Sequence, residues 1–126
     1  MTTTWTAEEL DRIGAADELD VAARRQDGSL RTPTTIWVVR NGDDLYIRSY
    51  RGPEGGWYRA TKTRHEGHIH AADIDKDVAF VAVPDPDLNT RIDEAYRSKY
   101  ARFGAQYVDP MTAAPARTTT TRIVPR

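Results

Sequence analysis

Asn41-Gly42 stands between two runs of β-branched, aliphatic and aromatic residues, Thr34 to Val39 and Leu45 to Tyr50. A two-residue Asn-Gly link needs backbone that tolerates positive φ at both positions, and these residue types supply it, so the two runs are tied into an antiparallel hairpin. Leu19, Val21 and Ala23 alternate with polar or small neighbours as a first strand, and Asp27-Gly28 follows as a turn. His68 to Ala71 and Val78 to Val83 read as a second hairpin around the polar connection Asp73 to Asp77. The threonine-rich end from Thr118 to Pro125 reads as a closing strand.

Helix signals punctuate this pattern. Thr6 is placed to cap a short helix, with Glu9 completing the capping box and Trp5 able to staple onto Leu10 before Gly14 ends it. Trp57 to Arg64 predicts one or two helical turns. Asp85-Pro86 opens a longer helix in which Leu88, Ile92, Ala95, Tyr96, Tyr100 and Phe103 recur at helical spacing up to Gly104. The expected fold is therefore mainly β with α: a six-stranded antiparallel barrel with a short N-terminal helix, a short mid-chain helix and a longer helix near 86–103. Its 126 residues suit one domain, 1–126, and no linker or internal repeat is visible.

Composition narrows the function. The chain has no cysteine, which excludes disulfides, thiolate zinc sites and cysteine nucleophiles. A net charge of −1 gives no steering toward nucleic acid. No apolar run is long enough to cross a membrane and the first residues lack the pattern of a signal peptide, so a cytoplasmic protein is expected. The distribution of charge is uneven: from Arg24 to Arg64 there are nine Lys or Arg against four Asp or Glu. A charge run is commonly a solvated face, and the excess of arginine over lysine also has a purely compositional explanation.

The densest part of that segment is Arg48-Ser-Tyr-Arg-Gly-Pro-Glu-Gly-Gly-Trp-Tyr-Arg59, three arginines, three glycines and three aromatics in twelve residues. The histidines His65, His68 and His70 lack the common zinc spacings, and no metal is expected. No serine elbow is present, and the paired carboxylates fall in expected turns, so no catalytic residue can be named. An enzyme whose cofactor carries the reaction needs from its protein only an anion clamp, flat walls for a ring and correct orientation. Arg31, Thr32 and Pro33, then Arg48, Ser49 and Tyr50, then Trp57, Arg59 and Lys62 supply such materials, with Trp37 a further candidate wall. Strand alternation poses a difficulty, because Arg48 and Ser49 cannot face one groove unless the strand bulges there.

The run RRQDGSLRTPTTIWVVRNGDDLYIRSYRGPEGGWYRATKTRHEGHIHA, with the later YRSKYARFGAQYVDP and ARTTTTRIVPR, resembles an uncharacterised bacterial family, domain of unknown function 2255. That family resembles in turn the FMN-binding split β-barrels, which include pyridoxamine 5′-phosphate oxidases and deazaflavin-dependent nitroreductases. The resemblance implies Arg31, Thr32 and Pro33 beside the cofactor ring, Arg48, Ser49 and Tyr50 at a phosphate-side strand end, and Trp57, Arg59 and Lys62 in a phosphate-binding helical turn. It implies FMN or deazaflavin (coenzyme F-420) as cofactor, a small-molecule substrate and a homodimer. Two functions stay open: a small oxidoreductase, or a non-catalytic barrel that binds a phosphorylated ligand or only dimerises.

Overall fold

The computed structural model describes residues 4–126. The chain runs α1 (Ala7–Ala15), β1 (Leu19–Ala23), β2 (Thr34–Ile36), β3 (Val39–Asn41), β4 (Asp44–Ile47), α2 (Gly56–Arg64), β5 (Glu66–Ala71), β6 (Ile74–Ala82), α3 (Pro86–Tyr100), α4 (Ala105–Thr112) and β7 (Thr121–Pro125). Short 3-10 turns lie at Gly52–Glu54, Ala101–Phe103 and Ala116–Thr119. The seven strands form one antiparallel sheet in the order β2-β1-β5-β6-β7-β4-β3.

The two end strands of that order are neighbours in sequence, separated only by Trp37 and Val38. A flat sheet of seven strands at about 4.8 Å spacing would be roughly 29 Å wide. The three-residue step from Ile36 to Val39 reaches only about 10 Å when fully extended. The sheet must therefore curl until its edges face each other, making a barrel with an unpaired seam at Trp37-Val38. This is why the expected single strand Thr34 to Val39 is two strands and the count is seven rather than six. Ile36 pairs with Leu19 on one edge while Val39 pairs with Tyr46 on the other.

Side chains from α3 close the seam. The Tyr100 hydroxyl accepts the Val38 amide at 3.0 Å and donates to the Asp17 carbonyl at 2.7 Å. Lys99 Nζ donates to the Val38 carbonyl at 2.6 Å. Both backbone groups of a residue that no strand pairs are thereby satisfied.

The core has two layers because part of the sheet is covered on both faces. Inside the barrel, Leu19, Val21, Leu45, Ile47, Ile69, Val78, Phe80 and Ile123 meet Leu10 and Ile13 of α1 and Trp57 and Ala60 of α2. Outside it, Val39 and Tyr46 pack under Ile92, Tyr96 and Tyr100 of α3 and Val108 and Met111 of α4. The predicted capping box is present: Glu9 N–H donates to Thr6 Oγ1 at 3.1 Å and Thr6 N–H to Glu9 Oε1 at 2.9 Å. Trp5 joins the interior layer and donates its indole N–H to the Ile123 carbonyl at 3.0 Å.

Other boundaries moved for physical reasons. Ala72 and Asp73, with φ of 49° and 67°, make the tight turn of the second hairpin, so Asp75 to Asp77 belong to β6. Helix α4 was not expected from the sequence, because Pro110 and the small residues after it obscure the spacing of Val108 and Met111. No helix is long and apolar enough to cross a membrane among the described residues.

Gly67 marks where β5 runs closest to its neighbours: a Cβ there would sit 2.2 Å from the Ala22 carbonyl oxygen and 2.8 Å from the Phe80 ring. Gly67→Ala is expected to lower unfolding free energy by about 1–3 kcal/mol through overpacking, read as a reduced urea midpoint. An unchanged midpoint would contradict this packing.

Candidate functional site

The three arginines of the segment Arg48 to Arg59 part company in the structure. Arg48 was expected at a phosphate, and the structure corrects this: its side chain is fully buried on the α3 side of β4. A guanidinium has five N–H donors, and all five are engaged within the protein. Nε donates to Thr120 Oγ1 at 2.8 Å, Nη1 to Asp93 Oδ1 at 2.6 Å and the Met111 carbonyl at 2.8 Å, and Nη2 to the Asn89 carbonyl and Oδ1 at 3.2 and 3.1 Å. The other oxygen of Asp93 accepts from Arg117 Nε at 2.9 Å. Arg48 is thus a cross-link among β4, α3, α4 and the start of β7.

Ser49 is corrected as well. It is buried, its N–H donates to Thr119 Oγ1 at 2.8 Å, and its carbonyl accepts from Gly52 at 2.9 Å. Its hydroxyl lies against Gly55, where a Cβ would come within 2.1 Å of it. The alternation difficulty resolves itself here, since Arg48 and Ser49 face opposite ways into protein on both sides.

A different set of cations converges. One groove of about 230 Å³ is lined by Val21, Ala23, Arg25, Arg31, Thr32, Thr34, Gly56 and Trp57, and a second of about 390 Å³ by Arg31, Gly56, Arg59, Ala60 and Thr63. Arg31 and Gly56 are common to both, so the two form a continuous surface around the start of α2. The cap residue Gly55 offers no side-chain bond and the first turn has no acid, leaving the opening amides of α2 open to an anion. Nearby Arg24 and Arg64 are paired with Asp77 and Glu66 at 3.0 and 3.3 Å. By contrast Arg25, Arg31 and Arg59 have no carboxylate within 4.0 Å among the described residues. Lys62, one turn further along α2, is exposed with its ammonium 4.5 Å from the Tyr58 ring centroid.

The candidate ring walls divide between two places. Trp57 is buried at the groove. Trp37 and Tyr50 line a separate, largely apolar cleft of about 190 Å³ together with Thr35, Ile36, Arg48, Tyr107 and Met111. One face of Trp37 is already stacked on Tyr100, 3.9 Å between centroids and 2° from parallel. Thr34 of β2 borders the groove while Thr35 and Ile36 border the cleft, so the free edge of the sheet runs between them. Pro33 faces a third hollow with Arg31, His68, His70 and Asp75. Sequence reasoning missed Arg25, Gly56 and Tyr107; the spacing of Tyr107 and Met111, four apart, was the one available sign of the last.

The histidines form a cross-strand ladder with acids. His68 Nδ1 lies 2.9 Å from Asp77 and Nε2 3.2 Å from Asp75, and His70 Nδ1 lies 3.1 Å from Asp75. Burial alone would lower the His68 pKa, but hydrogen bonds to Asp77 and Asp75 outweigh it and leave it raised. Among the described residues no three histidine, cysteine, aspartate or glutamate side chains form a group that could hold a metal ion.

The family model described as an uncharacterised protein conserved in bacteria (DUF2255) matches residues 9–123. No curated protein matches the chain. Solved structures share the fold at low identity. A conserved hypothetical protein from Mycobacterium tuberculosis aligns with TM-score 0.66 and 11% identity, over 97% of this chain and 80% of its own. An F420-H2 dependent reductase aligns with TM-score 0.60 and 12% identity, over 86% of this chain and 93% of its own. An FAD-binding protein from Mesorhizobium loti aligns with TM-score 0.54 and 14% identity, over 97% and 89%.

The burial of Arg48 makes its partner critical. Asp93→Ala leaves a guanidinium uncompensated inside the protein and is expected to cost about 3–5 kcal/mol of unfolding free energy, measured by urea denaturation. A loss below about 1 kcal/mol, the range of exposed pairs, would show that the cross-link is not the structural element described.

Proposed function

The chain belongs to the bacterial family DUF2255, and we propose that it binds a phosphorylated cofactor of the flavin or deazaflavin class and acts as a small oxidoreductase. The observation that carries this reading is the convergence of Arg25, Arg31 and Arg59, all without carboxylate partners, on the uncapped start of α2. That donor set suits a phosphate: a helix terminus offers directed N–H groups, and guanidinium groups offer charge-assisted bonds. The protein that shares this fold and is an F420-H2 dependent reductase supports the redox part of the proposal.

In this reading Arg31 and Arg59 hold the phosphate against the amides of Gly56 and Trp57, and Arg25 and Lys62 add positive field at the rim. Thr32 and Thr34 form the side of the groove next to the sheet edge, while Pro33 borders the neighbouring hollow, which shares Arg31 with the groove. Trp37 and Tyr50, which present flat apolar surface in the cleft on the other side of that edge, are the residues that would hold the ring. When bound, the ring would supply the hydride or electron transfer, which asks no nucleophile of the protein. Tyr50 and Tyr107, 60% and 53% exposed, give a second copy of the chain a surface from which to cover the cleft. FMN and deazaflavin share the phosphate chemistry, and the choice between them falls to direct titration.

A charge-assisted hydrogen bond is worth about 1.5–3 kcal/mol, so Arg59→Ala and Arg31→Ala should each weaken FMN or deazaflavin binding by roughly tenfold or more. Titration followed by ligand fluorescence, with thermal stabilisation as a second readout, provides the check. Equal affinity in wild type and both variants would overturn the site. Binding with intact arginine dependence, but without reduction of the ring by any nicotinamide donor or reoxidation by an acceptor, would favour a non-catalytic ligand-binding barrel.

A further inference from the structure

The outer face of β1, β5 and β6 carries a charged cluster, and one residue links it to the anion groove. Val21, Ile69 and Val78 point into the barrel, so by alternation Asp20, His68, His70, Asp75 and Asp77 stand on the outer face. His68 lies between two carboxylates, with Nδ1 2.9 Å from Asp77 and Nε2 3.2 Å from Asp75. A neutral imidazole has one N–H and one lone pair, so only the imidazolium donates to both acids. Loss of its proton turns one of the two contacts into a lone pair facing an anion. Although burial opposes it, these two bonds hold the His68 pKa above the ordinary 6.5.

The two acids are not equally provided for. Asp77 keeps Arg24 of β1 at 3.0 Å whatever the charge of His68. Asp75 has only His68 and His70, the latter at 3.1 Å, and no lysine or arginine within 4.0 Å among the described residues. Asp20 of β1, which accepts from Thr35 Oγ1 at 2.6 Å, adds a second carboxylate on the same side. The other charges around the cluster are engaged elsewhere: Glu66 of β5 with Arg64 and Arg126 at 3.3 and 2.9 Å, and Lys76 of β6 with Glu9 at 2.8 Å. Asp20, His68, His70 and Asp75 line one hollow of about 300 Å³, and the arginine that lines it with them is Arg31. Arg31 also lines both parts of the groove at the start of α2, and its guanidinium makes no hydrogen bond or ion pair among the described residues.

We propose that Arg31 is a shared cation: it serves the phosphate in the groove while His68 holds its proton and is drawn to Asp75 once His68 is neutral, so that phosphate affinity falls as pH rises. This regulation rests on the anion site already proposed at the start of α2. It asks for no movement of the sheet, only for a choice between two directions of one exposed side chain. Linkage makes the coupling reciprocal: a phosphate that keeps Arg31 in the groove leaves Asp75 to His68 and makes His68 harder to deprotonate.

The test has a ligand-free arm and a binding arm. In the free protein the titration of His68 is followed by NMR in wild type, Arg31→Ala and Arg59→Ala. Removing the competing cation in Arg31→Ala should move the His68 midpoint up by roughly 0.3 pH or more, and Arg59→Ala should leave it in place. In the binding arm FMN and the deazaflavin cofactor are titrated at low salt, near pH 6.5 and near pH 8.5, into wild type, Arg31→Ala and His68→Gln. His68→Gln has no proton to lose and so corrects for the ionisation of the phosphate itself. Between the two conditions wild type should lose about threefold more affinity than His68→Gln, within the roughly tenfold that Arg31 contributes, and Arg31→Ala should match His68→Gln. An unmoved His68 midpoint in Arg31→Ala, or equal pH dependence in wild type and His68→Gln while the arginine variants still weaken binding, would overturn the regulation and leave the anion site standing. Binding that ignores both arginines would overturn the site and the regulation with it.

Discussion

Everything in this molecule hangs on a seam that strand pairing cannot close. Because β2 and β3 are consecutive in the chain but terminal in the sheet, two residues must bridge opposite edges of a seven-stranded sheet. Curling solves the distance but leaves Val38 with no strand partner. Tyr100 and Lys99 take over the work of a missing strand, satisfying the Val38 amide and carbonyl from α3. This fixes where α3 must lie, and α3 in turn covers the outer face of β3 and β4. The free sheet edge beside the seam is then what both the cationic groove and the aromatic cleft adjoin.

Arginine plays two opposite parts in this arrangement. Arg48, deep between sheet and helices, spends all its donors on Thr120, Asp93, Met111 and Asn89, a network in which Asp93 also holds Arg117. Desolvating a guanidinium is tolerable only when its donors are satisfied in this way. Arg25, Arg31 and Arg59 are the reverse: exposed, without carboxylates, and gathered at a helix start that lacks a cap. Arg25 also donates to the Leu30 carbonyl at 2.8 Å, so the arginines most open to a ligand are Arg31 and Arg59.

Much of this was legible in sequence where local signals decide structure. The capping box of Thr6 and Glu9, the short helix at Trp57 and the aromatic stripe of α3 appear where spacing put them, whereas the first hairpin turns one residue later than Asn41-Gly42: Asn41 pairs with Asp44 as the last residue of β3, and the link is Gly42-Asp43, with positive φ at Gly42 alone. What local signals could not supply was which face of β4 meets a second layer. Arg48 next to a Gly/Pro loop looks like a ligand group until α3 and α4 are packed over it, and α4 itself was hidden behind Pro110. The break at Trp37-Val38 was equally invisible, since it follows from global closure and not from the residues' own preferences. Arg31 and Arg59, by contrast, line the groove surface at the start of α2.

The anion site we propose is the start of α2 with Arg31 and Arg59, and not the end of β4. A crystal structure of the protein soaked with FMN or the deazaflavin cofactor tests it most directly. Phosphate density is expected within hydrogen-bond distance of the Gly56 or Trp57 amide and of at least one of these two arginines, with Arg48 unmoved in its bonds to Asp93. A phosphate bound instead by a reoriented Arg48, or a saturating ligand that leaves the α2 groove empty, would contradict it.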